Sequence, residues 1–363
     1  MNMSSEAFHF LYYLIILINS FFFIFSRGNF NKKTQSVTVS AYVLIISVIL
    51  GLRGINVGND TLSYKLLYDS TAQRDIASIF SHFFDGGDGL FYLLAKIFST
   101  FGSFTLFLTF IALTSNILFY KFCVNISRTL SIQCLSPLVI FLLLMTSFVT
   151  FNMEINTVRS GMGMSLLLNA IFYLFTKDYK KSCIYGCIAA LIHFSMVIFF
   201  LIAIMIILLK WNIKTYYLLY FISLGLSFIG IGILDLIPLG NLELRATKLY
   251  VDSNLFEYEI GFRPTFALYN TSFLLLLISQ IRGIAKLPDI AVRFFKYYIV
   301  STILFFLWFI MPFSDRIGAF SWVVIPILAS YIFISGHNHS ILRCQLFFLG
   351  YFIVCFLISS LNV

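Results

Sequence analysis

Nine polar side chains stand close to the ends of long apolar runs: Arg53, Asp60, Glu154, Arg159, His193, Arg245, Arg263, Asp315 and Arg316. Their chemistry is of two kinds. A guanidinium presents a planar fork that matches phosphate oxygens, so several arginines converging on one membrane face suit a polyanionic headgroup. An imidazole or a carboxylate in the same place can take a proton from an attacking hydroxyl. Arg159 is the sharpest case because it begins an apolar run, where a charge is costly unless it meets an anion or a water-filled cavity. Each residue also has a structural reading. Arg159 can snorkel to lipid phosphate, and Arg53 can anchor a helix end. Asp60 can serve only as an N-cap, His193 can be a packing histidine, and Asp315-Arg316 can form a salt-bridged turn.

The elements that must position these groups are membrane helices. The chain is 60% hydrophobic, 18% aromatic and 11% charged, with a mean hydropathy of +0.96 and 44 phenylalanines. No soluble domain of 363 residues carries that balance. The reading is an all-α polytopic membrane protein, one integral domain over 1–363, with about twelve spanning or half-spanning segments. These lie near 8–25, 37–52, 89–100 with 104–122, 134–151, 159–176, 182–193, 194–209, 215–234, 265–281, 294–312, 317–335 and 344–362. The run from Phe8 to Phe25 lacks a basic region before it and a cleavage site after it, so it reads as a retained span. Segment 89–100 is short enough to lie in the interface.

Orientation follows from the basic residues. One set of turns, from Arg27 through Arg343, holds fifteen Lys and Arg against two acids, a net charge of +13; the other face carries −4. The positive-inside rule places the first set in the cytoplasm and both termini outside. Two long polar loops, about 53–89 and 235–263, then face outward. Glu154 and Arg159 fall in a tight hairpin, 148–163, between two spans. From Ser182 to Leu209 no residue is charged, and both flanks belong inside. Two short helices turning near Ala190 to Ser195 satisfy this, with His193 at the bend. In the first outward loop, Asp60-Thr61 is placed to cap a helix with Tyr64, Leu67 and Tyr68 on one face.

Six scattered cysteines include one pair a turn apart, Cys183 and Cys187, without histidine or carboxylate partners; this is a poor metal site. There is no Walker A loop, HExxH, Gly-x-Ser-x-Gly or outward Asp-x-Asp pair. The net charge of +9 is explained by topology and calls for no nucleic acid. In the outer half of a bacterial membrane, the amphipathic polyanion that suits such arginines is a lipid-linked pyrophosphate.

Four local patterns resemble the EpsG-like and Wzy-type polysaccharide polymerases. They are Arg53 with Val57-Gly58-Asn59-Asp60-Thr61 and Tyr64; Asn156-Thr157-Val158-Arg159 before a small-residue helix; Ala189 to Ser195 around His193; and Asp315-Arg316-Ile317. Ser160 and Asn59 depart from the residues usual in that family. The resemblance implies a GT-C-like membrane glycosyltransferase of the inner membrane that polymerises O-antigen or a related surface polysaccharide. Its donor and acceptor would both be undecaprenyl-pyrophosphate-linked oligosaccharides, with membrane lipid around it and a chain-length regulator protein as a further partner. No metal, nucleotide or other cofactor is implied. In that scheme Arg159, with Arg53, Arg245, Arg263, Arg316, Tyr64 and Glu154 as substrate-binding groups, steadies the leaving pyrophosphate. His193 is the first choice of base, and Asp60 or Glu154 the alternatives. Two other activities fit less well. A lipid-linked oligosaccharide flippase would spread charge through both leaflets, and an O-antigen ligase shares the donor but has different motif spacing.

Overall fold

The computed structural model describes residues 4–25, 32–79, 88–130, 137–236, 261–280, 288–309, 314–334 and 341–360. Most of these residues are helical, with no strand among them. They form two compact units, Met1–Leu201 with Phe333–Val363, and Ile202–Ile332.

The first unit contains α1 (Ser5–Phe25), α2 (Lys32–Gly51), α3 (Thr61–Gln73), α4 (Gly89–Ser99), α5 (Phe104–Leu130), α6 (Pro137–Thr146), α7 (Phe148–Ile155), α8 (Val158–Phe175) and α9 (Tyr179–Ile192). α10 (Met196–Leu208) leads out of it. The second unit holds α11 (Ile213–Phe228), α12 (Ile233–Leu236), α13 (Pro264–Gln280), α14 (Asp289–Leu307), α15 (Ser314–Trp322) and α16 (Ile325–Ile334). The last helix, α17 (Ile341–Ser360), returns to the first unit.

The centre of the first unit is α8, packed against α5, α7 and α9. Small residues let its neighbours approach closely. At Gly161 a Cβ would lie 2.6 Å from the Met153 carbonyl oxygen, so only glycine allows α7 and α8 to meet at this point. Deeper in α8, the Asn169 amide donates to the Leu118 carbonyl (2.9 Å) and to that of Ser165 (2.8 Å), tying α8 to α5. In the second unit, α14 packs on α11 and α15.

Three described helices are long and apolar enough to cross a membrane: α5, α8 and α14. Shorter apolar helices or helix portions of 10–17 residues accompany them, including Met196–Leu208 and Pro264–Ser279. This is a polytopic helical membrane protein. The break expected between Ala190 and Ser195 is present: α9 ends at Ile192 and α10 starts at Met196.

Three expectations need correction. The segment 134–151 is not one straight helix, because α6 and α7 are bent by 70° at Ser147, whose backbone is extended (φ −60°, ψ 131°). The tight hairpin expected over 148–163 is consequently smaller. Residues 148–155 are helical, and the turn itself is Asn156-Thr157. The physical reason is tertiary: helix α7 is held in place by side chains from α1 and from the loop after α2, described below. Segment 317–335 is likewise divided, into α15 and α16.

Candidate functional site

The loop after α2 and the α7–α8 turn fit together through backbone groups. The C-terminal ends of α2 and α7 both leave carbonyls without helical partners, and both carry the negative end of a helix dipole. Arg53 stands where they meet. Its Nη1 donates to the Leu50 carbonyl (2.9 Å) and the Glu154 carbonyl (3.2 Å), and its Nη2 to that of Ile155 (3.3 Å). Its Nε donates to the Thr61 hydroxyl (3.2 Å), and that hydroxyl donates to the Val57 carbonyl (2.6 Å). Arg53 is buried. Its guanidinium fastens the scaffold.

Gly58 completes the junction. Its φ of +76° lies in the left-handed region, and a Cβ there would collide with Asn156 Oδ1 and Ile155 Cγ2. That close approach allows the Asn59 N–H to donate to Asn156 Oδ1 at 2.8 Å, while Asn156 Nδ2 donates to Asn152 Oδ1 at 2.7 Å. The two sequence patterns around Arg53 and Asn156 are therefore halves of one clamp. Its product is a fixed start for α8, which carries Arg159.

Arg159 is the second residue of α8, near the positive end of that helix. A cation there is disfavoured by the dipole, and the compensating anion is Asp88. Arg159 Nη1 donates to Asp88 Oδ2 at 2.7 Å. The guanidinium carbon also lies 5.8 Å from the Tyr64 ring centroid and 6.0 Å from that of Phe91, within cation–π range. Tyr64, projecting from α3, is buried.

The other Asp88 oxygen belongs to the bend between α9 and α10. His193 Nδ1 lies 3.0 Å from Asp88 Oδ1, and the Phe194 N–H donates to the same oxygen at 3.3 Å. An ionised carboxylate only accepts, so Nδ1 carries the hydrogen. In a neutral ring Nε2 is then the acceptor. Asp88 itself is buried (8% exposed), whereas the side chains of His193 and Arg159 are 26% and 31% exposed. Burial works against ionisation of Asp88. The hydrogen bond from His193, with the charge of Arg159, outweighs it and holds the carboxyl below its ordinary range.

Asp88 was not among the nine residues that the sequence singled out. It precedes α4, so it reads as an ordinary N-cap, yet its side chain makes no capping hydrogen bond. The available signal was an acid directly before a short apolar helix whose place in the membrane is ambiguous.

The remaining residues fall elsewhere. Asp60 precedes α3, and its carbonyl accepts from the Tyr64 N–H at 3.0 Å, but its side chain does not cap the helix. Glu154 is buried in α7, where Oε2 accepts from the Tyr12 hydroxyl of α1 at 3.0 Å; the same hydroxyl also lies 3.3 Å from the Met145 carbonyl oxygen. Arg263 and Arg316 belong to the second unit. Arg263 has its guanidinium carbon 5.7 Å from the Phe266 ring centroid, and Asp315-Arg316 stand half-buried in the first turn of α15. Arg245 lies outside the described residues. Cys183 and Cys187 are exposed with their sulfurs 3.9 Å apart. Among the described residues no three His, Cys, Asp or Glu side chains gather closely enough to hold a metal ion.

The site therefore joins a cation, a carboxylate and an imidazole from three separate helix junctions. Comparison with curated proteins and with solved structures finds no match. The family model described as the EpsG family matches residues 36–363, nearly the whole chain. By that match, the chain belongs to the EpsG family of polysaccharide-polymerase-type membrane proteins.

Proposed function

We propose that the chain polymerises a surface polysaccharide of the O-antigen kind at the periplasmic face of a bacterial inner membrane. The donor is a glycan on undecaprenyl pyrophosphate, and the acceptor is a sugar hydroxyl of a new lipid-linked repeat unit. The acceptor oxygen forms a bond to the anomeric carbon as the bond from that carbon to the pyrophosphate oxygen breaks. The hydroxyl proton passes to His193 Nε2. The leaving pyrophosphate keeps the electron pair and is steadied by the Arg159 guanidinium.

One observation carries this reading. Arg159 and His193 come from different helices, meet on the single carboxylate of Asp88, and keep part of their surfaces exposed. A lipid-snorkelling arginine and an isolated packing histidine would have no reason to share that partner. A flippase would use charge distributed along a central path, while the ionisable groups assembled in this site cluster at the helix ends.

The test is the lipopolysaccharide ladder of a deletion strain complemented with the wild-type gene or with Arg159→Ala. Loss of a polymerase leaves chains of one repeat, loss of a ligase leaves bare core, and loss of a flippase stops export. One-repeat chains are expected from the deletion and from a well-expressed Arg159→Ala protein. Bare core in the deletion would replace this reading with that of a ligase, and absent export with that of a flippase.

A further inference from the structure

Asp88 faces two groups whose roles make different demands on it. Towards His193 it is an acceptor at 3.0 Å, supported on the same oxygen by the Phe194 N–H. That arrangement fixes the ring orientation and leaves Nε2 as the basic nitrogen. Towards Arg159 it is a counter-ion at 2.7 Å. A phosphate that takes a fork of Arg159 that includes Nη1 must share or displace that carboxylate, because both compete for the Nη1 donors.

We infer that Asp88 is a positioning residue with opposed effects, holding His193 ready to accept a proton while competing with the donor's pyrophosphate for Arg159. This rests on the reading of Arg159 and His193 given above. It adds a specific consequence: the carboxylate weakens anion binding in the empty site and supports the chemical step in the filled one. When pyrophosphate occupies Arg159, Asp88 Oδ2 is released and the carboxylate remains bound to His193 and the Phe194 N–H. Donor binding thus removes the competing contact and preserves the one that orients the base.

The opposition separates this role from a purely structural one. Asp88→Asn keeps the size and planarity of the side chain but removes its charge. An uncharged amide cannot neutralise Arg159, and its Oδ1 and Nδ2 cannot both replace carboxylate oxygens as acceptors. In the purified full-length protein, inorganic pyrophosphate should bind Asp88→Asn roughly two- to fivefold more tightly than wild type, the scale of a lost, partly exposed ion pair. With lipid-linked repeat units as substrate, kcat should fall roughly a hundredfold, as expected when a base loses its orienting partner. Binding and turnover then move in opposite directions. A side chain that merely supports the fold would weaken both.

Asp88→Glu serves as the second variant, retaining the charge on a longer stem. Its pyrophosphate affinity should stay within about twofold of wild type while kcat drops roughly tenfold, because the imidazole is displaced. If Asp88→Asn does not survive purification, Asp88→Glu with unchanged kcat overturns the inference. Pyrophosphate binding to Asp88→Asn that is no tighter than to wild type also overturns it, as does unchanged turnover. The parent reading fails separately: Arg159→Ala that still binds pyrophosphate, or still builds long chains, removes Arg159 from the site altogether.

Discussion

Arg53 gives the clearest quantitative prediction. Arg53→Met keeps most of the aliphatic length and removes every donor. The carbonyls of Leu50, Glu154 and Ile155 and the hydroxyl of Thr61 lose a partner, all in a buried junction. A hydrogen bond to a charged group contributes about 1.5–3 kcal/mol, and a buried acceptor left unpaired costs about 1–3 kcal/mol. The four contacts share one guanidinium and are not additive, and removing the buried charge recovers some of its desolvation cost. A net destabilisation of about 3–5 kcal/mol follows, a large part of the stability of a typical domain. Arg53→Lys retains charge without the fork, so it should fall between Met and wild type. The assay is thermal unfolding in detergent, paired with hydrogen exchange over 152–158. The Met variant should unfold several degrees lower, exchange faster across the α7–α8 turn, and polymerise poorly because Arg159 is no longer held. Arg53→Met with wild-type melting and normal exchange would refute the clamp.

Three further outcomes follow from the same geometry. Arg159→Lys keeps the charge but loses the two-pronged hold on phosphate, about 1.5–3 kcal/mol, so kcat/KM should fall roughly tenfold to a hundredfold in a protein that still inserts; wild-type kinetics would return Arg159 to snorkelling. Glu154 is held by Tyr12 inside the unit, so Glu154→Gln should retain turnover within about threefold and leave its pH profile unchanged, whereas loss of the acidic limb would make Glu154 the proton acceptor. Asp88 has a depressed carboxyl pKa in the folded chain. Its contribution to stability is therefore fully present above the unfolded value of about 3.9 and is lost as the pH falls through the lower folded value. The stability gap between wild type and Asp88→Asn should therefore close only below about pH 4; a gap that closes between pH 5 and 7 would contradict the assigned shift.

Much of the scaffold was legible in the sequence because it depends on apolar length and local interruption. The uncharged run from Ser182 to Leu209 with basic flanks already required a break near His193, and α9 and α10 part there. Arg159 was legible as an expensive residue at a helix start. The bend at Ser147 was not. Residues 138 and 140–146 are buried, so the run has no polar face to mark where a helix must turn, and neither glycine nor proline stands at the break. Arg53 was visible as a basic residue after α2, but its three carbonyl partners belong to two helix ends about a hundred residues apart in the chain. Asp88 was hidden for a related reason. Its partners lie 71 and 105 residues away, and local pattern offers only the N-cap explanation.

The central claim is that His193 accepts the proton of the attacking hydroxyl while Arg159 steadies the departing pyrophosphate. The most direct measurement uses wild type and His193→Gln, reconstituted with purified lipid-linked repeat units, with pyrophosphate affinity and single-turnover rate followed across pH. Glutamine can hydrogen-bond but cannot take up a proton at neutral pH. His193→Gln should bind pyrophosphate as wild type does, turn over roughly a hundredfold more slowly or worse, and lose the limb of the pH profile that reports the base. Near-normal turnover with an unaltered pH profile would contradict the account and leave His193 as a packing residue at a broken helix.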